Sequence, residues 1–206
     1  AVFYIVTKQS FLRFIMLDGE NKIVMNAIRG EASAFGLLYD HYQPKIYRFI
    51  LIKVGRREEA EDLTHQVFLS AWQNIEDYED LGYPFGSWLY QMARNQVIDH
   101  YRTRRPTLNI EEVDPDNLTY DSQSAAQAEE RLEMEKVKRA ILKLKPAHQD
   151  VIIMRFVEEM SVKEVAAALH KTEGAVKLLR HRALIQLRKS LGIQNESHSD
   201  ELDSTN

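Results

Sequence analysis

Residues 160–189 constrain the fold most, because their pattern predicts two short helices joined by a tight turn. Ser161 and Glu164 have the spacing of a capping box, so a helix is expected to begin directly after Ser161. The turn falls at residues 170–171, and Thr172 is placed to cap a second helix. Apolar residues recur along both segments at helical spacing, which gives each helix one face to bury. The segment is therefore predicted to be a helix-turn-helix.

The second helix of this pair has a basic outer face. A helix with one apolar face and one basic face can bind in the major groove of DNA when a short helix and a tight turn precede it. A helical hairpin with a solvated basic face is the plainer alternative. The residues predicted to face outward are Lys177, Arg180, His181, Arg182, Arg188 and Lys189.

The rest of the chain is also predicted to be helical, since no segment alternates like a strand. Pro44 is expected to kink or break one helix, and Ser87 to cap another. Residues 106–124 are rich in Pro, Asn, Asp, Thr and Ser and lack periodicity, so they are predicted to be a linker. The predicted fold is all-α, with two small helical domains joined by a flexible linker. The expected segments are an N-terminal extension at 1–25, a helical bundle at 26–105, the linker, a helix-turn-helix domain at 125–191, and an acidic, disordered tail at 192–206.

The charge is unevenly distributed. The net charge is −4, which by itself does not indicate nucleic-acid binding. Residues 94–105, however, contain four Arg and one Asp, and residues 163–189 contain seven Lys or Arg and two Glu. Two basic patches separated by an acidic spacer favour a two-point contact with a polyanion. The chain has no cysteine, which excludes disulfides and thiolate zinc sites and fits a reducing cytosol.

The N-terminal residues are apolar, but Lys8 and Arg13 interrupt them before a membrane span is reached. They also lack the charge order and small residues of a signal peptide. We therefore expect an extension outside the folded domain, with Met16 or Met25 as the natural start. A short amphipathic contact helix is the alternative.

Two further motifs lie in the N-terminal half. Residues 58–72 form a helix with one apolar and one mostly acidic face. Residues 85–102 mix aromatic side chains with Asn, Gln and Arg, a combination that suits unpaired nucleic acid because rings stack on bases and Arg holds phosphates. The alternatives are a solvated helix face for the first motif and simple core packing for the aromatic residues of the second, Trp88 in particular.

Taken together, AEDLTHQVFLSAW at 60–72, FGSWLYQMARNQVIDHYR at 85–102 and the helix-turn-helix resemble the sigma-70 family of RNA polymerase sigma factors. The similarity is to its extracytoplasmic-function (ECF) subgroup and covers residues 26–189. The resemblance implies a sigma region 2 bundle that binds core polymerase and the −10 promoter element. It also implies a sigma region 4 helix-turn-helix that binds the −35 element and the polymerase flap. His170 departs from the pattern, because such turns often carry Gly.

The resemblance also implies three sets of site residues. The polymerase-binding set is Asp62, Leu63, Gln66, Val67 and Phe68. The −10 set is Tyr83, Phe85, Arg94, Asn95, Asp99 and Arg102. The −35 set is Thr172, Glu173, Lys177, Arg180, His181 and Arg182.

The implied protein is a cytoplasmic transcription initiation factor that does no chemistry and needs no cofactor or metal. Its expected partners are core RNA polymerase and promoter DNA, with an anti-sigma factor as a further candidate, and no membrane insertion is expected. A stand-alone DNA-binding regulator would explain the helix-turn-helix equally well, but not the two N-terminal motifs. An enzyme is disfavoured because the seven histidines are scattered and no Gly-rich phosphate loop or nucleophile elbow is present.

Overall fold

The computed structural model describes residues 19–103 and 125–193, and every regular element within those two ranges is helical. The predicted linker at 106–124 lies outside the described residues, as do most of the predicted extension and nearly all of the predicted tail. The described part of the chain thus comprises an N-terminal domain (residues 19–103) and a C-terminal domain (residues 125–193).

The N-terminal domain is a bundle of four helices. They are α1 (Glu20–Ile28), α2 (Ala32–Val54), α3 (Arg57–Gln73) and α4 (Phe85–Thr103). Helix α2 lies at its centre and packs against each of the other three. Its inward side chains recur at helical spacing, so the hydrophobic effect fixes which face is buried. The most deeply buried of them are Leu38, Tyr42, Ile46, Phe49 and Ile50.

Glycines with positive φ lie just after α1 and α2, where the chain turns sharply. Gly30, at φ 86°, separates α1 from α2, and Gly55, at φ 76°, ends α2. Pro44, in contrast, does not break α2, which continues through it to Val54. Proline removes one helical hydrogen bond, but the side chains on both sides of Pro44, Tyr42 and Ile46, are buried. Packing therefore holds the helix together across the proline.

The N-terminal domain includes residues that were predicted to belong to the N-terminal extension at 1–25. The predicted boundary at residue 25 falls inside α1, which begins at Glu20. Glu20 and Val24 are both buried, so this part of the chain belongs to the core of the domain.

The start of α4 also differs from the prediction. The helix begins at Phe85, two residues before Ser87, and the Ser87 hydroxyl is buried without a hydrogen-bond partner. Ser87 is therefore not the cap. Instead, the Phe85 N–H donates to the carboxylate of Glu20, 65 residues earlier in the sequence.

The C-terminal domain contains α5 (Ala125–Leu142), α6 (Pro146–Ile152), α7 (Val162–Ala168) and α8 (Glu173–Ser190). A π-helical turn, Ile153–Val157, continues α6. The predicted capping box is confirmed: the Glu164 N–H donates to Ser161 Oγ, and the Ser161 N–H donates to Glu164 Oε2.

The turn between α7 and α8 also forms as predicted. Thr172 caps α8, because its hydroxyl accepts a hydrogen bond from the Ala175 N–H. His170 takes φ 49°, the left-handed conformation that usually favours glycine. Residues 162–190 therefore form a helix-turn-helix.

The two domains pack directly against each other. Helix α7 of the C-terminal domain lies against α4 of the N-terminal domain. The buried apolar side chains of both domains join in one continuous cluster. The sequence had predicted two domains, and nothing in it indicated this contact.

Replacing Gly86 with Ala tests the packing at the start of α4. A Cβ at this position would lie 2.5 Å from Cε1 of Tyr42, whose ring is fully buried. We expect a loss of about 1–3 kcal/mol in the free energy of unfolding, because the ring cannot move without disturbing the core. Urea denaturation followed by tryptophan fluorescence measures the change.

Gly36 in α2 provides the matched control. A Cβ there meets nothing within 4 Å, so Gly36→Ala should be neutral or stabilise the domain by up to about 1 kcal/mol through helix propensity. Equal effects of the two substitutions would contradict the packing argument.

Candidate nucleic-acid interface

Helix α8 presents an exposed polar face. Glu173, Lys177 and His181 are exposed and lie at i, i+4 and i+8, so they share one side of the helix. Arg180 is partly buried beside that side. Arg182 is exposed on a different side. The structure thus divides the predicted −35 set between two sides of α8.

The other side of α8 is partly apolar. Arg182 lies near Leu178 and Ile185, which are both about half exposed. This side of α8 can therefore contact an apolar partner as well as an anion. Thr172, at the start of the helix, is exposed, but its hydroxyl is engaged as the helix cap.

A basic residue that the sequence analysis did not select lies beside Arg180. Burial, followed by the positive charge of Arg180, lowers the pKa of Arg155. The Nε atom of Arg155 is buried and has no hydrogen-bond partner. Arg155 was missed because it lies in the π-helical turn, outside the helix-turn-helix motif.

Helix α4 presents a second exposed polar face, formed by Asn95, Asp99 and Arg102. Asp99 Oδ1 lies 3.2 Å from Nη2 of Arg102, and both side chains are more than half exposed. Ile98, which the prediction omitted, is exposed at 40% on the same part of the helix. These four residues form a continuous surface suited to single-stranded nucleic acid, because it combines apolar, amide and cationic groups.

The loop before α4 carries Tyr83, which was predicted, and Leu81, which was not. Leu81 is 70% exposed at the loop tip. Tyr83 is partly buried, and Nζ of Lys163 from the C-terminal domain lies 5.2 Å from its ring centroid. The geometry is that of a cation–π contact.

Phe85 does not lie on a surface. Its side chain is only 1% exposed and packs against the rings of Tyr42, Tyr78 and Trp88. The expectation that Phe85 contacts DNA is therefore corrected. Phe85 instead packs in the core under the loop, because its position in the first turn of α4 directs the ring inward.

Arg94 also departs from the expected grouping, since it is not on the exposed face of α4. Its Nε donates to Oδ2 of Asp150 in the C-terminal domain at 2.9 Å. Asp150 is 1% exposed and also accepts a hydrogen bond from the ammonium of Lys53, whose side chain is equally buried. One carboxylate thus joins two cations across the domain boundary.

A second buried carboxylate, Glu158, makes a similar bridge. It accepts from Nε and Nη2 of Arg48, at 2.7 and 2.6 Å, and from the hydroxyl of Tyr90 at 3.0 Å. The hydrogen bond to Glu158 raises the pKa of Arg48, and burial together with Glu158 raises that of Tyr90. Tyr90 therefore stays a neutral donor and Arg48 stays charged.

Helix α3 carries the predicted polymerase-binding set. Asp62 and Gln66 are exposed, but Leu63, Val67 and Phe68 are buried in the core. The expectation that these three side chains form the surface is corrected, because they are buried in the core of the bundle. Leu69, 48% exposed, and Trp72, 39% exposed, extend the outer side of α3 beyond the predicted residues.

Within the described ranges, no group of His, Cys, Asp and Glu side chains is arranged to hold a metal ion. Nor is any helix in those ranges long and apolar enough to cross a membrane.

Comparison with known proteins identifies the class of protein that these surfaces belong to. Residues 38–107 match the family described as sigma-70 region 2, and residues 134–187 match that described as sigma-70, region 4. The first match begins within α2 and covers most of the four-helix bundle, and the second covers most of the helix-turn-helix domain.

Individual relatives agree. The ECF RNA polymerase sigma factor BldN of Streptomyces coelicolor is 36% identical over 173 residues, which are 82% of this chain and 65% of BldN. The ECF RNA polymerase sigma factor SigW of Bacillus subtilis is 32% identical over 82% of this chain and 95% of its own length. The sigma factor RpoE of Bartonella quintana, solved with the anti-sigma factor NepR, is similar in fold. Its TM-score is 0.60 at 23% identity, over 78% of this chain and 98% of that chain.

The chain belongs to the sigma-70 family, in the ECF group of RNA polymerase sigma factors. The resemblance of the sequence motifs to that family is thereby confirmed.

Replacing Asp150 with Ala tests the bridge between the domains. The substitution leaves the buried ammonium of Lys53 without its carboxylate partner, which costs about 3–5 kcal/mol for a buried pair. We expect a loss of that size in the free energy of unfolding, measured by urea denaturation.

Glu61→Ala is the control, because Glu61 pairs with Arg57 on the exposed side of α3. An exposed pair contributes less than about 1 kcal/mol. An Asp150→Ala variant as stable as Glu61→Ala would show that the bridge does not stabilise the protein.

Proposed function

We propose that this chain directs core RNA polymerase to promoters and helps to open the DNA there, without catalysing a reaction itself. The observation that carries the proposal is that one chain holds a helix-turn-helix with an exposed polar recognition helix and, separately, an exposed polar and apolar face on α4. The first suits intact duplex and the second suits unpaired strand. Because polymerase is a cytoplasmic enzyme in bacteria, we also propose that this chain acts in the cytoplasm.

The −35 surface is assigned to α8. Glu173, Lys177 and His181 share the side that would enter the major groove, with Arg180 at its margin. Arg155, next to Arg180, is added as a phosphate contact, since an anion between the two guanidinium groups would relieve their repulsion. The apolar residues Leu178 and Ile185 are assigned to the polymerase flap.

The −10 surface is assigned to α4 and its preceding loop. Asn95, Asp99 and Arg102 are accessible, and Leu81 lies at the loop tip. Arg94 and Tyr83 are both engaged by the C-terminal domain. If these two residues contact DNA, the domains must first separate, and we propose that binding to polymerase causes that separation.

The polymerase clamp surface is assigned to the exposed side of α3. Asp62, Gln66 and Leu69 lie at i, i+4 and i+7 and combine a charge, an amide and an apolar side chain. Such a mixture is typical of protein–protein contacts of moderate size. An anti-sigma factor that covers the same surface would prevent polymerase binding, and the sigma factor RpoE of Bartonella quintana has been solved in complex with an anti-sigma factor, NepR.

Run-off transcription with core polymerase tests the function. Promoters are first recovered from a library of random upstream sequences by using the unmodified chain. We expect the double substitution Asp62→Ala and Gln66→Ala to weaken core binding about tenfold or more, because each side chain is an exposed contact within an interface. Loss of RNA should follow the loss of core binding.

Glu76→Ala is the control, since Glu76 is an exposed carboxylate outside α3. RNA synthesis that is indifferent to adding the unmodified chain would contradict the proposed function. A chain that instead binds linear duplex tightly without polymerase would favour the stand-alone regulator.

The −35 assignment predicts a specific salt dependence. Lys177→Ala should lower the affinity of the polymerase complex for the −35 duplex and reduce the slope of log affinity against log salt by about 0.9, the value for one phosphate contact. Glu173→Gln on the same side should not lower that slope. Unchanged slopes for both variants would exclude Lys177 as a phosphate contact.

A further inference from the structure

We propose that Glu20 is a positioning residue for −10 recognition: its carboxylate joins α1 to the start of α4 and thereby fixes the loop that precedes α4. The proposal rests on the proposed function of that loop and adds a residue outside both family matches, the first of which begins at residue 38. Glu20 is only 5% exposed, so its carboxylate acts inside the protein and does not touch DNA.

One oxygen of Glu20 makes both contacts. Oε1 accepts a hydrogen bond from the Tyr42 hydroxyl at 2.8 Å and from the Phe85 N–H at 2.9 Å. Tyr42 is on the central helix α2, and Phe85 is the first residue of α4. The oxygen therefore connects three helices, α1, α2 and α4, at one point.

The contact to Phe85 has a particular consequence for the loop. The first N–H groups of a helix have no partner within the helix, and a carboxylate there satisfies one of them and favours the positive end of the helix dipole. Since the Ser87 hydroxyl has no partner and does not cap this helix, Glu20 supplies the acceptor. The point at which the chain leaves the loop and enters α4 is thus set by a side chain of α1.

The packing around this point leaves little freedom for the loop. Tyr42 lies so close to Gly86 that a Cβ at that position would overlap its ring. Phe85 is held among the rings of Tyr78 and Trp88, and Tyr78 lies at the beginning of the loop. Both ends of the loop, Tyr78 and Phe85, therefore contact each other, and Glu20 anchors one of them.

Helix α1 also lies beside the first part of the loop. A small pocket between them is lined on one side by Asn21, Val24 and Met25 of α1 and on the other by Tyr78 and Asp80. Because the exposed Leu81 and the partly buried Tyr83 follow directly in the loop, a shift of α1 relative to α4 would move them.

The test measures how the full chain, bound to core polymerase, binds a single-stranded oligonucleotide. The oligonucleotide carries the non-template −10 sequence of a promoter that was recovered with the unmodified chain. Glu20→Ala should weaken binding of this oligonucleotide by about tenfold, the scale of a lost hydrogen bond to a charged acceptor. Core binding and the affinity for a −35 duplex should change by less than about twofold, because α3 and α8 are remote from Glu20.

Two further variants distinguish positioning from a general loss of folding. Glu20→Gln keeps a carbonyl oxygen that can accept both hydrogen bonds, so it should restore most of the oligonucleotide binding. Glu31→Ala, at an exposed residue whose side chain does not cap α2, should leave all three affinities unchanged.

Three results would overturn the proposal. They are unchanged oligonucleotide binding by Glu20→Ala, a parallel loss of core and oligonucleotide binding, and a Gln variant as defective as the Ala variant. Failure of the unmodified chain to bind the oligonucleotide with polymerase would instead contradict the proposed function itself. The two failures are therefore distinguishable.

Discussion

The arrangement of the two domains depends on two buried carboxylates. Asp150 and Glu158 belong to the C-terminal domain, but their partners Lys53, Arg94, Arg48 and Tyr90 belong to the N-terminal domain. A buried charge is costly unless it is paired, so each carboxylate holds the domains together only while its partners stay in place. Such a contact is strong when complete, and losing one partner leaves a buried charge unpaired. It therefore favours two distinct states, closed or separated.

The closed state has consequences for both proposed promoter surfaces. It leaves the exposed face of α4 and the recognition side of α8 open to solvent, but it covers Arg94 and Tyr83. A factor in this state presents the proposed polymerase surface on α3 while part of the proposed −10 surface is occupied by its own C-terminal domain. Binding to polymerase would then compete with the domain contact, and the covered residues would become available only in the complex. Two weak DNA contacts, one in each domain of the same chain, bind more tightly when both can be made at once, because the first raises the effective concentration of the second.

The helices and the helix-turn-helix could be predicted from the sequence, because these features depend on nearby residues. The Ser161 and Glu164 capping box, the Thr172 cap and the turn at residues 170–171 are local patterns, and all of them form. Periodicity also indicated one apolar face for α3. Leu63, Val67 and Phe68 belong to that apolar stripe, so helical spacing places them in the core although the family motif contains them.

What the sequence could not reveal depends on residues that are far apart. Lys53 and Asp150 are separated by 97 positions, and Arg48 and Glu158 by 110. The cap of α4 comes from Glu20, so the nearby Ser87 was a plausible but wrong choice. The π-helical turn before Glu158 adds a residue to the turn and alters where the following side chains point, which no periodic pattern indicates. Long-range pairing of single charged side chains leaves no signal in one sequence.

The most direct test of this account is the distance between the domains, with and without polymerase. Because the chain contains no cysteine, Lys22→Cys and Lys189→Cys introduce one label in each domain at exposed positions. Energy transfer between the labels should be high in the free chain and fall when core polymerase and promoter are added. Asp150→Ala should lower it in the free chain. The same transfer efficiency in the free chain and in the polymerase complex would contradict the account.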